Sequence, residues 1–367
     1  MKSQWPMVKL GDVLNYEQPT HYIVNTTQYD DTYPIPVLTA GQTFILGYTN
    51  ETENIYHKNL PVLIFDDFTT AIKYVDFPFK VKSSAMKILS NDKSKTSIKY
   101  LFYAMGRISI DTELHKRYWI SLYSNISIPL PPLSVQLQIV QKLDKVQLLI
   151  EQRKYQIEKL DLLAKSRFIE MFGDPISNNR NWPVSHLNDL GTISRGVSKN
   201  RPRNAPELLG GIYPLIQTGD IANAGTYLTA YTSTYSELGL KQSKMWPSGT
   251  LCITIAANIA KTAILTFDAC FPDSVVGFLS SNKTNQLFVH YWFSFFQKIL
   301  EEQAPESAQK NINMQILQNL DVICPPLSLQ NEFALFVEEL DKSKFTIRKS
   351  LEKLETLYRA LLQEYFG

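Results

Sequence analysis

The sequence lacks the glycine motifs that bind nucleotides. No Gly-x-Gly occurs in its 367 residues, and no glycine is followed by lysine. The first absence removes the usual dinucleotide or S-adenosylmethionine-type loop, and the second removes a P-loop. We therefore expect no cofactor bound by this chain and no catalytic residues of its own.

Metal-ligating and redox-active residues are also few. The five histidines are scattered without metal-ligand spacing and are His21, His57, His115, His186 and His290. The three cysteines form no Cys-x-x-Cys and are Cys252, Cys270 and Cys324. Their apolar surroundings predict buried, reduced thiols rather than a disulfide or metal site. This pattern is typical of a cytoplasmic protein without a metal.

Long apolar runs and a dominant charge are missing as well. No run approaches the ~20 residues that cross a bilayer, and the N-terminus has no apolar signal-peptide core. The 37 basic and 35 acidic residues give a net charge of +2, so any nucleic-acid contact must come from local patches. Apolar residues make up 44% of the chain, enough for two ordinary cores.

What the sequence does contain is a duplication. The segment IPLPPLSVQ, residues 128–136, returns as VICPPLSLQ at 322–330, and placing Pro131 on Pro325 gives an offset of 325 − 131 = 194 positions. The same offset, without a gap, brings Phe172-Gly173 onto Phe366-Gly367. Upstream, WPMVKLGD corresponds to WPVSHLND, and IPVLTAGQ to YPLIQTGD. The whole chain is therefore a tandem repeat.

Each repeat ends in a predicted helix. A Pro-Pro pair cannot continue a helix backward, and Ser134 and Ser328 are placed as N-caps. Apolar residues then recur every three or four positions, the spacing of a coiled-coil stripe. The predicted pairing residues are Ile139, Leu143, Val146, Ile150, Ile157 and Leu160 in the first helix, and Phe333, Val337, Leu340, Ile347, Leu351 and Leu354 in the second.

Neither helix can bury its stripe alone, so we expect the two to pair as an antiparallel coiled coil. Two separate helical hairpins, each inside its own domain, are the alternative. Arg153 and Lys344 each interrupt a stripe, either to fix the register or as solvated side chains that bury only their stems.

The segments before the helices combine strand and helix patterns. LPVLIFDDF (60–68) and TLCITIA (250–256) are strand-like, whereas SIKYLFYAMG and QLFVHYWFSFFQKIL are helical. The likeness of TTAI at Thr69 to KTAI at Lys261, and of Phe79 to Phe271, indicates one fold with different surfaces. The prediction is an α+β protein with two pseudo-symmetric mixed α/β domains. The boundaries are 1–128, 129–173 (first helix), 174–322 and 323–367 (second helix).

Two related domains with different surfaces favour recognition of two short targets at a fixed separation. Duplex DNA offers half-sites roughly 34 to 36 Å apart per turn, within the length of such helices. HKRYW (115–119) and SRGVSKNRPR (194–203) mix basic residues with aromatic or flexible ones, which suits phosphate and base contacts.

Other motifs favour structural interpretations. The Pro-Pro pairs lack the polar and aromatic neighbours of an adenine methyltransferase motif, so they mark helix starts. Pro272-Asp273 is not followed by the remaining carboxylate and lysine of a nuclease motif and indicates a turn. Asp66 and Asp67 end a predicted strand, and contact of either one with a cytosine amino group stays open.

The order of these segments resembles the specificity subunit of type I restriction-modification systems over essentially the whole chain. The match combines two PPL-S-x-Q helices that close on Phe-Gly with two variable domains. YEQPTHYIV and FDDFTTAIKYVDFPFKVKSSAMKIL look like target recognition domains of the type IC branch, and YPLIQTGDI and QKNINMQILQNL are similar to phrases in such domains.

The resemblance implies a non-catalytic subunit whose two target recognition domains each recognise half of a bipartite, asymmetric sequence in the major groove of double-stranded DNA. The implied contact residues lie in loops. They are Thr39, Gln42, Thr69, Lys73, Lys82, Lys116, Arg117 and Tyr118 in the first domain, and Lys199, Arg201, Arg203, Gln217, Asn258, Lys261, Lys310 and Asn311 in the second.

The resemblance also implies partners. The helices would set the half-site spacing and dock two modification (methyltransferase) subunits, and restriction (translocase and nuclease) subunits would join them. S-adenosylmethionine, ATP and Mg²⁺ would be bound by those subunits. The alternative is a stand-alone bipartite DNA-binding scaffold protein that binds its site tightly without partners.

Overall fold

The computed structural model of the protein describes residues 5–39, 41, 43–108, 118–200, 202–256, 259–303 and 312–367, with the backbone alone for 298–303. The chain divides into two compact units. Unit 1 comprises 1–154 and 349–367, and unit 2 comprises 155–348. Each long helix is thus divided between the two units, whereas the predicted boundaries treated each helix as a segment separate from both domains.

Unit 1 is built on two main sheets. Its elements are β1 (Met7–Lys9), α1 (Leu10–Val13), β2 (Leu14–Glu17), β3 (Ile35–Leu38), β4 (Ile45–Thr49), β5 (Val62–Asp66), β6 (Ile72–Val75), β7 (Lys80–Val81), β8 (Met86–Asn91), α2 (Ile98–Met105), α3 (Tyr118–Ser121) and β9 (Ser127–Pro129). The strand orders are β2-β8-β5-β6 and β4-β3-β7, with β1 paired to β9. Buried apolar strands such as β5 supply the core.

Helix α4 (Leu133–Phe172) follows unit 1's last strand and leads into unit 2. The elements after it are β10 (Val184–His186), α5 (Leu187–Leu190), β11 (Gly191–Arg195), β12 (Leu209–Leu215), α6 (Thr218–Asn223), β13 (Tyr227–Leu228), β14 (Ser233–Tyr235), α7 (Glu237–Lys241), β15 (Met245–Trp246), β16 (Leu251–Thr254), β17 (Thr262–Leu265), β18 (Ala269–Cys270), β19 (Val275–Ser280), α8 (Gln286–Gln303), α9 (Met314–Gln318), β20 (Asp321–Ile323) and α10 (Leu327–Phe366). Short 3-10 turns occupy Pro19–Tyr22, Tyr123–Asn125 and Pro206–Leu208.

The sheets of unit 2 repeat those of unit 1 with additions. Their orders are β11-β19-β16-β17-β13 and β14-β12-β18-β15, with β10 paired to β20. Removing β13 and β15 leaves the strand orders of unit 1. The predicted duplication and α+β fold class are confirmed.

The strand register corrects two predicted correspondences. Asp66 N–H donates to Ala71 O (2.8 Å) in unit 1, and Thr254 N–H donates to Lys261 O (2.9 Å) in unit 2. Ala71, not Thr69, is therefore the counterpart of Lys261. The error is two positions, which a strand tolerates because its side chains alternate with a period of two. The pairing of Phe79 with Phe271 is wrong by the same two positions, since Lys80 and Cys270 occupy equivalent places in the register.

Both long helices have 40 residues, and each unit contains one half of each. In unit 1, Lys154 of α4 forms an ion pair with Glu355 of α10 (3.1 Å). In unit 2, Phe168 of α4 packs edge-on against Phe333 of α10, with ring centroids 5.4 Å apart. The first half of α4 thus packs on the last part of α10, and its second half on the first part, so the pairing is antiparallel.

The twelve predicted pairing residues all face inward to some degree. Seven are buried, namely Ile139, Leu143, Val146, Ile150, Phe333, Val337 and Leu340. Five are partly buried, namely Ile157, Leu160, Ile347, Leu351 and Leu354.

Lys344 is 2% exposed and does not extend its ammonium into solvent. Its Nζ lies 2.7 Å from Asp161 of α4 and 3.1 Å from Asp341. Burial lowers the pKa of Lys344, but Tyr291 and the two carboxylates outweigh burial, and the net pKa is raised. The snorkelling alternative is therefore wrong for this residue.

The helix starts differ slightly from the prediction. Both helices begin one residue before the serine, and the carbonyls of Pro132 and Pro326 accept the first-turn N–H groups, for example that of Gln136 at 3.0 Å. Ser134 and Ser328 are therefore inside the first turn rather than N-caps.

The glutamine of the repeated PPL-S-x-Q motif joins each helix to its domain. Gln136 Nε2 donates to Pro131 O (2.8 Å), and its Oε1 accepts the N–H of Ser97, the N-cap of α2 (2.9 Å). Gln330 does the same with Pro325 O (2.8 Å) and the N–H of Asn285 (2.9 Å), just before α8. Both glutamines are buried, so the motif fixes the packing of two helices as well as starting one.

Candidate nucleic-acid interface

In unit 1 the predicted contact residues that the structure describes lie at one end of the sheets. Thr39 follows β3, and its N–H donates to Phe44 O (3.0 Å) while its Oγ1 donates to Thr43 O (2.6 Å). Lys82 follows β7, and its N–H donates to Leu38 O (3.0 Å), which places it next to Thr39. We call the surface formed by Thr39, Thr69, Lys73 and Lys82 the first loop surface.

Of the other two residues of this surface, Thr69 lies on the β5–β6 turn and Lys73 is the second residue of β6. Asp66 Oδ1 accepts the N–H groups of Phe68 (2.8 Å) and Thr69 (3.2 Å) and so shapes the turn. Lys73 is only partly exposed, and its Nζ lies 5.9 Å from the centroid of the Phe44 ring. Because the N–H of Thr39 donates to Phe44 O, Phe44 lies beside both Thr39 and Lys73.

Two aspartates considered as base contacts have structural roles. Asp67 is 2% exposed, forms an ion pair with Lys87 (3.2 Å), and accepts the N–H of Trp119 (2.8 Å). Asp66 is also buried, with Oδ1 directed into its turn. A cytosine contact by Asp67 is therefore wrong, because the carboxylate is enclosed by protein donors. Lys87, the partner of Asp67, lies on β8 and could not be identified from the local sequence around Asp67.

Tyr118 is buried as well and belongs to the core of unit 1. Its ring does not reach solvent, so we do not retain it as a DNA contact. Gln42, Lys116 and Arg117 lie outside the described residues.

In unit 2 the predicted residues again follow the ends of strands. Gln217 is exposed at the start of α6, where its N–H donates to Asp220 Oδ2 (2.8 Å) and Asp220 Oδ1 accepts the Thr232 hydroxyl (2.9 Å). Lys261 precedes β17 at the rim of the sheet, and its N–H donates to Thr254 Oγ1 (3.0 Å).

The basic loop of unit 2 is held by polar contacts. Gln242 Oε1 accepts the N–H of Lys199 (2.6 Å), and the guanidinium of Arg203 forms an ion pair with Asp273. Both cations are exposed. Asp273 lies in the predicted turn, and its carboxylate offsets part of the positive charge of Arg203.

Lys244 is an exposed basic residue that the sequence argument missed. Its Nζ lies 3.7 Å from the centroid of the Trp246 ring, a cation-π distance, and it is two residues from Gln242. The Lys-x-Trp spacing along a strand was the available signal. We call the surface formed by Lys199, Arg203, Gln217, Lys244 and Lys261 the second loop surface. Arg201, Asn258, Lys310 and Asn311 lie outside the described residues.

The described residues contain no group of three or more His, Cys, Asp or Glu side chains that could hold a metal ion. The three cysteines are free thiols, and burial raises the pKa of Cys252, Cys270 and Cys324. Among the helices in the described ranges, none is long and apolar enough to cross a membrane.

The two loop surfaces offer hydroxyl, amide and cationic side chains and differ in almost every residue. Amide groups suit adenine edges, and lysine and arginine suit phosphates or guanine. The two surfaces therefore carry different sets of groups of the kinds that contact phosphates and base edges.

Comparison with known proteins identifies relatives of both repeats. The type I restriction enzyme EcoR124I/EcoR124II specificity subunit of Escherichia coli is 53% identical over 147 residues, 37% of this chain and 36% of that relative. The putative type I restriction enzyme MjaX specificity subunit of Methanocaldococcus jannaschii is 22% identical over 290 residues, 75% of this chain and 65% of the relative. The chain thus aligns with less than two thirds of the length of each.

A solved structure shares the fold across the chain. The crystal structure of the type I restriction-modification system S subunit from M. genitalium superposes with a TM-score of 0.65 at 14% identity, covering 100% of this chain and 97% of that one. The family model of the type I restriction modification DNA specificity domain matches twice, over residues 2–159 and 179–356. Because these matches cover most of the chain and coincide with its two repeats, the chain belongs to the type I restriction-modification DNA specificity domain family.

Proposed function

We propose that this chain is the DNA sequence-recognition subunit of a type I restriction-modification enzyme and is itself non-catalytic. The observation that carries the proposal is the double match to the specificity-domain family, each copy coinciding with a domain that presents its own loop surface. Each domain recognises one half of a bipartite, asymmetric target in the major groove.

The two loop surfaces are the contact regions in this proposal. Lys82, Lys199, Arg203 and Lys244 contact phosphates or guanines, and Gln217 has an amide suited to adenine. Lys73 lies in β6 and Lys261 immediately precedes β17. Both lie next to the turns between the strands and help to position those turns. Net charge is close to neutral, so partner subunits supply part of the contact to the DNA backbone.

The paired helices α4 and α10 set the spacing of the two half-sites and dock the modification subunits. Apolar side chains outside the pairing stripe support a docking role, since Leu137, Leu148, Leu162 and Leu335 are 48%, 54%, 54% and 64% exposed. S-adenosylmethionine, ATP and Mg²⁺ are bound by the modification and restriction subunits. The assembly works in the cytoplasm, where the DNA is.

A domain exchange tests the proposal. Residues 182–322 are replaced by the corresponding domain of another specificity subunit, and the exchanged chain is produced with its modification subunits. Methylated sites are then mapped across the DNA of the host cell. We expect one half of the target to change and the other half and the spacer to stay the same.

The matched control exchanges residues 182–322 for a version that carries only conservative substitutions in buried core positions, and it should leave the target unchanged. A change of both halves after the domain exchange would contradict separate recognition by the two domains. Tight, specific DNA binding by the purified chain without partners would favour a stand-alone binding protein.

A further inference from the structure

The two units treat the same sheet edge differently. In unit 2, β13 adds to β17 as a parallel strand, with Tyr227 opposite Ile264 and Leu228 opposite Leu265. The N–H of Ile264 donates to Thr226 O (3.0 Å). In unit 1, β6 is the equivalent of β17 and is the last strand of its sheet. Unit 1 has no counterpart of β13 among its described residues.

The edge of β6 has backbone groups that point away from the sheet. The hydrogen bond from Asp66 N–H to Ala71 O fixes which residues of the antiparallel ladder bond to each other. The backbone N–H and C=O of Lys73 therefore point toward β5, and those of Tyr74 point away from the sheet. Tyr74 is the register equivalent of Ile264. Within the described ranges, no group bonds to the N–H or C=O of Tyr74.

A groove runs beside this edge. It has a volume of about 570 Å³ and is lined by β6, α2 and both long helices, through Tyr74, Phe102, Tyr103, Asp144, Leu148 and Tyr358 among others. Leu148 is 54% exposed in this groove. The groove therefore combines an apolar wall with an unpaired strand edge, as in sites that bind peptides by strand addition.

Unit 2 shows what fills the equivalent space. At the repeat offset, Asp144 corresponds to Glu338 and Gln147 to Asp341. The Thr226 hydroxyl donates to Asp341 Oδ1 (3.3 Å). Burial, together with the negative charges of Asp341 and Glu338, raises the pKa of Tyr227 to about 12. The segment Thr226-Tyr227-Leu228 thus covers a surface that no described segment of unit 1 covers.

The groove of unit 1 contains polar groups that could hydrogen-bond to a segment like Thr226-Tyr227-Leu228. Lys99 Nζ lies 2.8 Å from Asp144 and 5.2 Å from the centroid of the Tyr74 ring, and the Tyr103 hydroxyl donates to Asp144 (2.5 Å). Glu151 and Gln147 add an acceptor and an amide on the helix side. One cation faces two carboxylates, so the groove favours a segment with hydroxyl or other donor groups over an acidic one.

We propose that this groove and the free edge of β6 bind an extended segment of a partner protein, which adds to the sheet parallel to β6. Its main chain accepts from the N–H of Tyr74, as Thr226 accepts from Ile264. A hydroxyl residue followed by an aromatic and an aliphatic residue matches the groove, since that is the order in β13. This surface is distinct from both loop surfaces, and its occupation does not depend on which DNA sequence is recognised.

A peptide taken from this chain is the probe. The full chain is titrated into a fluorescein-labelled peptide of residues 223–230, NAGTYLTA, and fluorescence polarisation is recorded beside a scrambled peptide of the same composition. We expect saturable binding of the first peptide and none of the second. Leu148→Lys, which places a charge on the apolar wall, should weaken binding by about tenfold or more.

Two further variants make the test specific. Leu162→Lys changes an equally exposed leucine of the same helix outside the groove and should alter affinity by less than about twofold. Tyr74→Pro removes the outward N–H and leaves the bonds to β5 intact, so it should also abolish binding. Leu148→Lys keeps the test valid if the proline variant does not fold.

Three results would overturn the proposal. The first is no binding of the probe above the scrambled peptide. The second is binding that Leu148→Lys and Tyr74→Pro leave unchanged, because the peptide would then bind elsewhere. The third is self-association of the chain, seen by light scattering and lost in Tyr74→Pro, because a second copy would then be the occupant. Failure of the peptide test would leave the domain-exchange result unaffected.

Discussion

The two units follow one plan and differ in how they complete it. Apart from β13, the larger sheet has the same strand order in both units, β2-β8-β5-β6 in one and β11-β19-β16-β17 in the other. In both units a buried glutamine joins a long helix to the domain. Unit 2 adds β13 and β15, and β13 covers an edge that no strand covers among the described residues of unit 1. Duplication thus preserved the framework, which depends on backbone register and a few buried polar contacts. Loops, edges and individual core residues were free to diverge.

The ends of the long helices offer the largest effect. Phe172 is fully buried among aromatic rings, with the Phe288 ring centroid 4.9 Å away, whereas its counterpart Phe366 is partly buried against Tyr100. Phe172→Ala should cost about 3 to 5 kcal/mol and Phe366→Ala clearly less, because the first leaves a larger cavity. Urea unfolding and hydrogen exchange of each unit measure the two losses.

The control for this pair is Ile169→Ala on the same helix, where the side chain is 38% exposed and little should change. Equal losses for the two phenylalanine variants would show that the two helix ends are packed alike. The two units would then differ in their sheets but not in the packing of the helix ends.

The next largest effect on stability is expected at the position of the helix stripe that holds Lys344 in α10 and Ile150 in α4. Ile150 occupies the repeat position of Lys344, but Gln147 stands where Asp341 stands, and Glu355 already pairs with Lys154. Ile150→Lys should therefore cost roughly 2 to 4 kcal/mol, because the buried ammonium lacks a full set of carboxylates. The melting temperature of the full chain is the measurement.

A double variant sharpens this comparison. Adding Gln147→Asp to Ile150→Lys supplies the missing carboxylate and should recover part of the loss. Lys344→Ile should cost less than Ile150→Lys, since it leaves Asp161 with a half-exposed side chain and Asp341 still bonded to Thr226. No recovery in the double variant would mean that Asp341 is not what makes the lysine tolerable in unit 2.

A smaller, pH-dependent effect comes from His290. Its counterpart in unit 1 is Phe102, because the glutamine contacts make Asn285 equivalent to Ser97 and each residue lies five positions later. Burial, with Lys344 nearby, lowers the pKa of His290 to about 4. The unfolded chain has an ordinary histidine pKa near ~6.5, so it binds more protons between these values. The stability that neutral His290 contributes is present above pH ~6.5 and is lost as the pH falls toward 4, and it amounts to about 3 kcal/mol.

The measurement compares wild type with His290→Phe. Melting temperatures are recorded from pH 8 to pH 4, and each protein is referred to its own value at pH 8. The variant should lose less stability on acidification, although it also loses the contact of His290 Nδ1 with Thr262 Oγ1 (2.9 Å). Parallel curves for the two proteins would show that His290 does not remain neutral in the folded state.

Much of the architecture was predictable because repeated motifs constrain one another. PPL-S-x-Q and Phe-Gly delimited both helices to within one residue at the start, and the apolar spacing identified the residues that pair. The loop surfaces were predictable as regions, since strand ends carry the exposed polar residues. Tyr118 was predicted as a contact but is buried, and the base contact left open for Asp67 is wrong. A tyrosine or an aspartate near a loop can be buried when its partners, such as Lys87 for Asp67, lie on another strand.

The sequence alone determined that this chain is a duplicated α+β protein with two paired helices and two domains that differ in their loop residues. Those features follow from local periodicity and from the repeat, which need no knowledge of distant contacts. Only the tertiary structure decided the strand register, the burial of Lys344 and, within the part of unit 1 that the structure describes, the open edge of β6. A two-residue slip keeps the same side chains inward, a charged residue reveals its burial only through its partners, and an edge is free only when no other segment reaches it.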